Sequence, residues 1–255
     1  MTRRTVAPFD LAATAVFTAL VFVATIVFSI YVPATAGFFN IGESMVFLSA
    51  LLFGPIVGAF AGGVGSMLAD FFLGFPYYAP GTLIIKACEG AVVGLIKKRN
   101  PKFSSKRYWM LFTLFLGVLV GVMLGWVGSA YYSGEVDFTL GPSTFVFQVP
   151  VGLWLSLGII TALSIALLGI LTDPEFGWTI FSVIVGGLVM VFGYFLYQMF
   201  LIFPLFNIEV VAILEIPVNI GQMIIGAIVA LPIAKLVWRV FPYLKEKNGE
   251  HRNRP

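Results

Sequence analysis

Residues Phe39–Leu95, FNIGESMVFLSALLFGPIVGAFAGGVGSMLADFFLGFPYYAPGTLIIKACEGAVVGL, decide the fold. The stretch is apolar enough for a bilayer, yet it carries Glu43, Asp70, Lys86 and Glu89. Ionisable groups are costly in hydrocarbon, so they face a protein interior or a wet cavity and mark a ligand or ion path. Three short apolar runs joined by Gly- and Pro-rich connections therefore read as the walls of a small-molecule site.

Composition sets the class around this stretch. Sixty per cent of the 255 residues are hydrophobic and only 11% are charged. Mean hydropathy is +1.01. Soluble domains are nearer half apolar and a quarter charged, so this is a polytopic membrane protein. The single cysteine, Cys88, excludes an internal disulfide, and the single histidine, His251, lies in a polar tail. That argues against histidine-based nucleophilic catalysis and Cys/His metal sites, so the sequence predicts no enzyme, no metal and no cofactor.

The net charge of +3 does not point to nucleic acid, because the basic residues share no soluble face. Arg3 and Arg4 precede the first apolar run. Lys97, Lys98, Arg99, Lys102, Lys106 and Arg107 share one loop. Lys235, Arg239, Lys245, Lys247, Arg252 and Arg254 fill the C-terminal end. This is the pattern of cytoplasmic segments under the positive-inside rule. Arg3, Arg4 and Ala34-Thr35-Ala36 imitate a cleaved signal peptide, but the run Leu11–Val32 is 22 residues long. A signal h-region is about 7–15 residues, so the run reads as a retained helix.

Eight apolar segments follow in order: Leu11–Val32, Glu43–Val57, Gly58–Leu73, Pro80–Ile96, Tyr108–Tyr132, Ser143–Leu171, Thr179–Phe203 and Pro217–Val240. The second and third are short for a span of about 20 residues, and must act as a pair. With the N-terminus and the 97–107 loop both basic, four crossings lie between them, or two if 43–73 dips in and returns. The 133–142 loop carries Glu135 and Asp137 without Lys or Arg, which suits the outside. The 172–178 turn must then be inside, although it has no positive charge. Asp10, Asp173, Glu175 and Glu246 read as solvated. Glycines at four-residue spacing, Gly54/Gly58/Gly62, Gly90/Gly94 and Gly117/Gly121/Gly125, form ridges that let helices approach closely in lipid.

In this topology Glu43, Asp70, Lys86, Glu215, Asn219 and Gln222 all fall in the outer half of the membrane, from four helices. Asn219 and Gln222 follow Glu215 at i+4 and i+7, on one helical face. Phe71, Phe72, Phe75, Tyr77 and Tyr78 cluster at the same level. They fit stacking faces for a planar ring and equally an interfacial aromatic belt. Lys86 fits a ligand contact and equally an internal partner for Asp70 or Glu89.

FNIGESMVFLSALLFGPIVGAFAGGVGSMLADFF and YAPGTLIIKACEGAVVGL resemble the substrate-binding membrane subunit (S component) of energy-coupling factor (ECF) vitamin transporters. GGLVMVFGYFLYQMF and EIPVNIGQMIIGAIVALPI are similar to the last helix pair of that family. The branch is the riboflavin type, which includes hydroxymethylpyrimidine- and thiamine-related members. The resemblance covers 10–98 and 179–240 and fails at 108–171. It implies an all-α six-helix bundle with an inserted two-helix hairpin at 108–171, eight transmembrane segments in all.

The resemblance further implies a vitamin-like ligand, a transmembrane coupling subunit and two ATPase subunits as partners. It places the chain in the cell membrane, with both termini cytoplasmic. The expected substrate-binding residues are Asn40, Glu43, Tyr77, Tyr78, Lys86, Glu215, Asn219 and Gln222. Ala15-x-x-x-Ala19 matches the small-residue motif that docks S components on the coupling subunit. Riboflavin-binding members tend to carry Asn-x-x-Lys in the last helix; here the pair is Asn219 and Gln222. An amide donates and accepts without charge, so a pyrimidine-type vitamin precursor competes with riboflavin as the ligand.

Overall fold

The computed structural model describes residues 8–32, 36–100, 105–131, 133–140, 143–206 and 212–244. Arg3, Arg4, Ala34, Thr35, Lys102, Tyr132, Lys245, Glu246, Lys247, His251, Arg252 and Arg254, named above, lie outside them. The side chains of Glu135 and Asp137 do too. The chain divides into two compact units, 1–100 with 178–255, and 101–177.

In the first unit α1 (Pro8–Val27) buries Ala13, Phe17, Val21 and Thr25. The four-residue spacing puts them on one face. An antiparallel hairpin follows, β1 (Ser29–Val32) on β2 (Gly37–Asn40), with Ile30 opposite Phe39. Then come α2 (Glu43–Phe53), α3 (Pro55–Leu73) and α4 (Ala79–Lys98). The rest of the unit is α7 (Pro174–Tyr197, from residue 178), a π-helical turn Gln198–Ile202, α8 (Phe203–Phe206), a 3₁₀ turn Ala212–Leu214, and α9 (Glu215–Val240).

A short apolar helix, α2, is the axis of this bundle. α2 has 11 residues, of which nine are buried. It packs against α1, α3, α4 and α9. At 1.5 Å per residue it is about 16 Å long, half the hydrocarbon thickness. Phe47, Leu51 and Val46 are fully enclosed at its centre. Gly54, at φ 86°, breaks the chain between α2 and α3, and Pro55 opens the new helix. Only glycine adopts that φ without strain, and proline is preorganised for a first helical position.

The glycine ridges place α3 against α4. A Cβ on Gly62 would lie 2.9 Å from the Lys86 carbonyl oxygen, and one on Gly63 2.7 Å from that of Leu83. A Cβ on Gly90 would strike the backbone of Gly58. Backbone contact of this kind needs small residues.

The second unit holds α5 (Lys106–Tyr131), the hairpin β3 (Gly134–Leu140) on β4 (Ser143–Val149), and α6 (Val151–Leu171). Here a Cβ on Gly117 would come within 2.7 Å of the Ala162 carbonyl, and Gly121 meets Gly158. Trp109 Nε1 donates to Thr172 Oγ1 at 3.1 Å.

Among the described residues, seven helices are long and apolar enough to cross a membrane, and Glu43–Phe53 is the shorter eighth. The chain is thus an all-α polytopic membrane protein with two small β-hairpins. Those hairpins correct the apolar runs read from sequence. The first helix stops at Val27 rather than Val32, and the sixth begins at Val151 rather than Ser143. Ser29–Val32 (SIYV) and Ser143–Val149 (STFVFQV) are hydrophobic without being helical, because β-branched and aromatic residues favour strands. The break placed after Val57 falls at Gly54. Asp173, expected to be merely solvated, accepts the Phe176 backbone N–H at 3.0 Å and caps the start of α7.

Gly90→Leu should therefore lower the thermal midpoint of the detergent-solubilised protein sharply, overpacking costing about 1–3 kcal/mol or more. Gly152→Ala, where a Cβ meets nothing within 4 Å, should leave it unchanged or slightly raised. Equal midpoints for the two variants, read by fluorescence-detected size exclusion after heating, would contradict this packing.

Candidate functional site

A cavity in the first unit is walled by α1, β2, α3, the 74–78 connection, α4, α7 and α9. It holds about 420 Å³ of space between atoms, open water at its mouth included. Of the eight substrate-binding residues expected from sequence, Asn40, Tyr78, Lys86, Glu215, Asn219 and Gln222 line it.

One wall is a directed chain of amides. The Asn40 backbone N–H donates to Gln222 Oε1 at 2.9 Å, and Asn40 Nδ2 donates to the same oxygen at 2.6 Å. A backbone N–H can only donate, so Gln222 must turn its oxygen toward Asn40. Gln222 Nε2 then donates to Asn219 Oδ1 at 2.8 Å. Asn40 is fixed in turn by the Gly42 N–H, which donates to its Oδ1 at 2.9 Å. The chain ends at Asn219 Nδ2, a buried donor with no partner. Gln222, expected to offer its amide to a ligand, lines the cavity and within the protein holds Asn40 and aims Asn219.

Another part of the wall ends in an acceptor. Tyr194 OH donates to Thr82 Oγ1 at 3.0 Å, and the Thr82 hydroxyl faces Asp70. Asp70 is only 4% exposed, and its Oδ2 has no partner. A buried carboxylate oxygen without a partner carries a desolvation cost that a donor from a ligand would relieve.

Lys86 is largely occupied within the protein. Its Nζ donates to Glu43 Oε2, to Glu89 Oε2 at 3.0 Å and to Met190 Sδ at 2.7 Å. Glu43 thus sits behind the wall rather than in it, its stem packed against Gly226 of α9. Tyr77 is also outside the cavity. Its hydroxyl donates to the Ala36 carbonyl at 2.8 Å and ties the 74–78 connection to the β1–β2 hairpin. Phe75 lies between Tyr31, Phe38 and Tyr77, with ring centroids 5.0–6.1 Å apart, and closes this roof. Phe71 and Phe72, grouped with that cluster from sequence, point outward and are exposed. Burial pushes the phenols of Tyr77 and Tyr78 above their usual range, with the Glu215 carboxylate adding to the effect at Tyr78, so both stay protonated.

Sequence reasoning did not single out Thr82, Tyr194 or Gln198. Gln198 Nε2 donates to Tyr78 OH and to Glu215 Oε2, the latter at 3.0 Å. It opens the π-helical turn, and such turns collect at functional sites. The available signal was a lone amide inside the apolar run FGYFLYQMF. Ala15 and Ala19 are exposed, on the side of α1 away from its buried face.

Lys86→Met should lower the thermal midpoint strongly, because it leaves two buried carboxylates uncompensated, a loss of about 3–5 kcal/mol. Glu89→Gln, which keeps a polar partner and leaves Lys86 with Glu43, should cost less. The order is read from the midpoints, and the reverse order would show that Lys86 does not neutralise the pair.

The comparisons bear on this geometry. Residues 7–172 match the family described as ECF-type riboflavin transporter, S component. The match runs on through α5 and α6, the segment set apart from the resemblance in the sequence reading. An uncharacterized protein from Pyrococcus woesei is 44% identical over 112 residues, 43% of this chain and 70% of that protein. The protein named thiamine precursor transporter HmpT, from Lactococcus lactis subsp. cremoris (strain MG1363), is 32% identical over 124 residues, 46% of this chain and 69% of its own length. A multi-helix membrane bundle with a polar cavity and a family match over more than half its length identifies this chain as a member of the ECF-type riboflavin transporter S component family.

Proposed function

We propose that the protein captures a vitamin or vitamin precursor, riboflavin or a pyrimidine- or thiamine-related compound, for an ATP-driven ECF-type importer. The observation that carries this reading is the cavity itself, with an unpartnered buried donor, Asn219 Nδ2, and an unpartnered buried acceptor, Asp70 Oδ2, among its walls. Family membership and the relative named a thiamine precursor transporter support it.

Asn219 contacts the ligand, and Asn40 and Gln222 orient it. Tyr78, Glu215 and Lys86 complete the walls. Glu43 holds Lys86, and Tyr77 holds the roof. Energy comes from elsewhere: the chain has no Walker lysine motif, so a transmembrane coupling subunit and two ATPase subunits supply it. The exposed Ala15/Ala19 face of α1 is the docking surface for the coupling subunit, since small side chains permit close helix approach. Residues 10–98 and 179–240 form the capturing core, and 108–171 is an inserted hairpin. The division of the chain into two compact units and the origin of every cavity wall in the first support that arrangement. Lysines and arginines beside α4 and in the C-terminal end favour a cell-membrane protein with both termini in the cytoplasm.

Purified and reconstituted alone, the protein should bind its ligand without accumulating it, and accumulation should require the coupling module and ATP. Gradient-driven accumulation by the lone protein would overturn the reading in favour of a stand-alone secondary transporter. Asn219→Ala and Gln222→Ala should each weaken binding of the co-purified ligand about tenfold or more, since one lost buried hydrogen bond is worth about 1–3 kcal/mol. Ala15→Leu with Ala19→Leu should abolish uptake by the full complex and leave binding intact. Loss of binding with assembly preserved would place that face inside the subunit instead.

A further inference from the structure

The walls of the cavity constrain the ligand more tightly than its family does. Asn219 Nδ2 is the end of a chain of amides that two backbone N–H groups orient, those of Asn40 and Gly42. It therefore meets a ligand as a donor and nothing else. Asp70 is fixed independently: Thr82 Oγ1 already accepts the Tyr194 proton, so its own proton is directed to Asp70. Asp70 Oδ2 is left as an acceptor.

Charge narrows the choice further. Among the described residues the buried carboxyl side chains are Glu43, Asp70, Glu89 and Glu215, against the single buried ammonium of Lys86. That ammonium is taken up by Glu43 and Glu89. The cluster has an excess of carboxylate, and the one buried cation that acts on Asp70, Lys86, is shared with Glu43 and Glu89.

We propose that the ligand is a basic, amino-bearing nitrogen heterocycle, its amino edge toward Asp70 and a ring or carbonyl acceptor toward Asn219. An amino group beside a protonated ring nitrogen offers a carboxylate two donors and a positive charge, and charge-assisted hydrogen bonds are the stronger kind. Riboflavin offers the reverse: a neutral ring system whose imide edge has two carbonyl acceptors around one N–H, which would turn oxygen toward the carboxylate. The proposal rests on the capture reading and specifies its substrate class.

Isothermal titration of the purified full chain decides it with three probes: a 5-hydroxymethyl-4-aminopyrimidine, the 4-oxo analogue of the same ring, and riboflavin. The amino compound should bind about tenfold or more tighter than its oxo analogue, the two differing at one polar edge. In Asp70→Asn, which keeps the shape and removes the charge, that ratio should fall to about threefold or less, with gel-filtration profile and thermal midpoint confirming the fold. Equal or tighter binding of the oxo compound or of riboflavin by the parent overturns the proposal while leaving capture of a heterocycle intact. A ratio that survives in folded Asp70→Asn overturns it too. Binding of none of the three overturns both this inference and the capture reading, and if Asp70→Asn does not fold, the parent's ratio decides alone.

Discussion

An ammonium enclosed between carboxylates in an apolar bundle is the constraint on which the rest of this structure depends. Lys86 on α4 reaches Glu43 at the start of α2, Glu89 one turn along its own helix, and the sulfur of Met190 on α7. Water would stabilise each of these charges separately, but the bundle interior cannot, so they must meet. Their meeting sets the register of α2 against α4. Once α2 is pinned there, its 11 residues are enclosed on all sides, and α3 must turn away at Gly54. The close approach of α3 to α4 through Gly58, Gly62 and Gly90 then leaves no slack for the ammonium to find water.

On this rigid floor the polar walls are directional. A side-chain amide can be turned around, but a backbone N–H cannot, and two of them sit at the root of the Asn40–Gln222–Asn219 chain. The β1–β2 hairpin, absent from the sequence-level reading, is what brings the Asn40 N–H there, since Asn40 is its last residue. The same hairpin carries Ala36, whose carbonyl receives Tyr77, and Phe38, which packs on Phe75. One small element thus both orients the donor wall and roofs the cavity. The roof is aromatic and tied by Tyr77 to Ala36, whereas the floor is ionic and buried.

Much of this was legible in the sequence because charge in an apolar run has so few explanations. Glu43, Asp70, Lys86, Glu215, Asn219 and Gln222 stand out against their surroundings, and the structure gathers them around one cavity or immediately behind its wall. Composition could not divide them into groups that face the cavity and groups that serve one another. Gln222 and Asn219 are equivalent on paper, and only the direction of the hydrogen bonds separates the aiming residue from the aimed one. Short strands were also illegible, since SIYV continues the hydrophobicity of α1 without interruption. Hydroxyl groups escaped for the opposite reason: Thr82 and Tyr194 are ordinary membrane-helix residues until the fold sets them in line with Asp70.

α1 joins the cavity to the proposed docking face without any intermediary. Thr25, on its buried side, lines the cavity, while Ala15 and Ala19, on its exposed side, lie ten and six residues earlier on the same helix. At 1.5 Å per residue the separation along the axis is about 9–15 Å, within one uninterrupted rigid element. The hairpin follows directly on α1, so the roof and the alanines belong to consecutive elements of the chain. In the proposed function these are the capturing surface and the docking surface. Here a single helix, buried on one face and bare on the other, carries both surfaces.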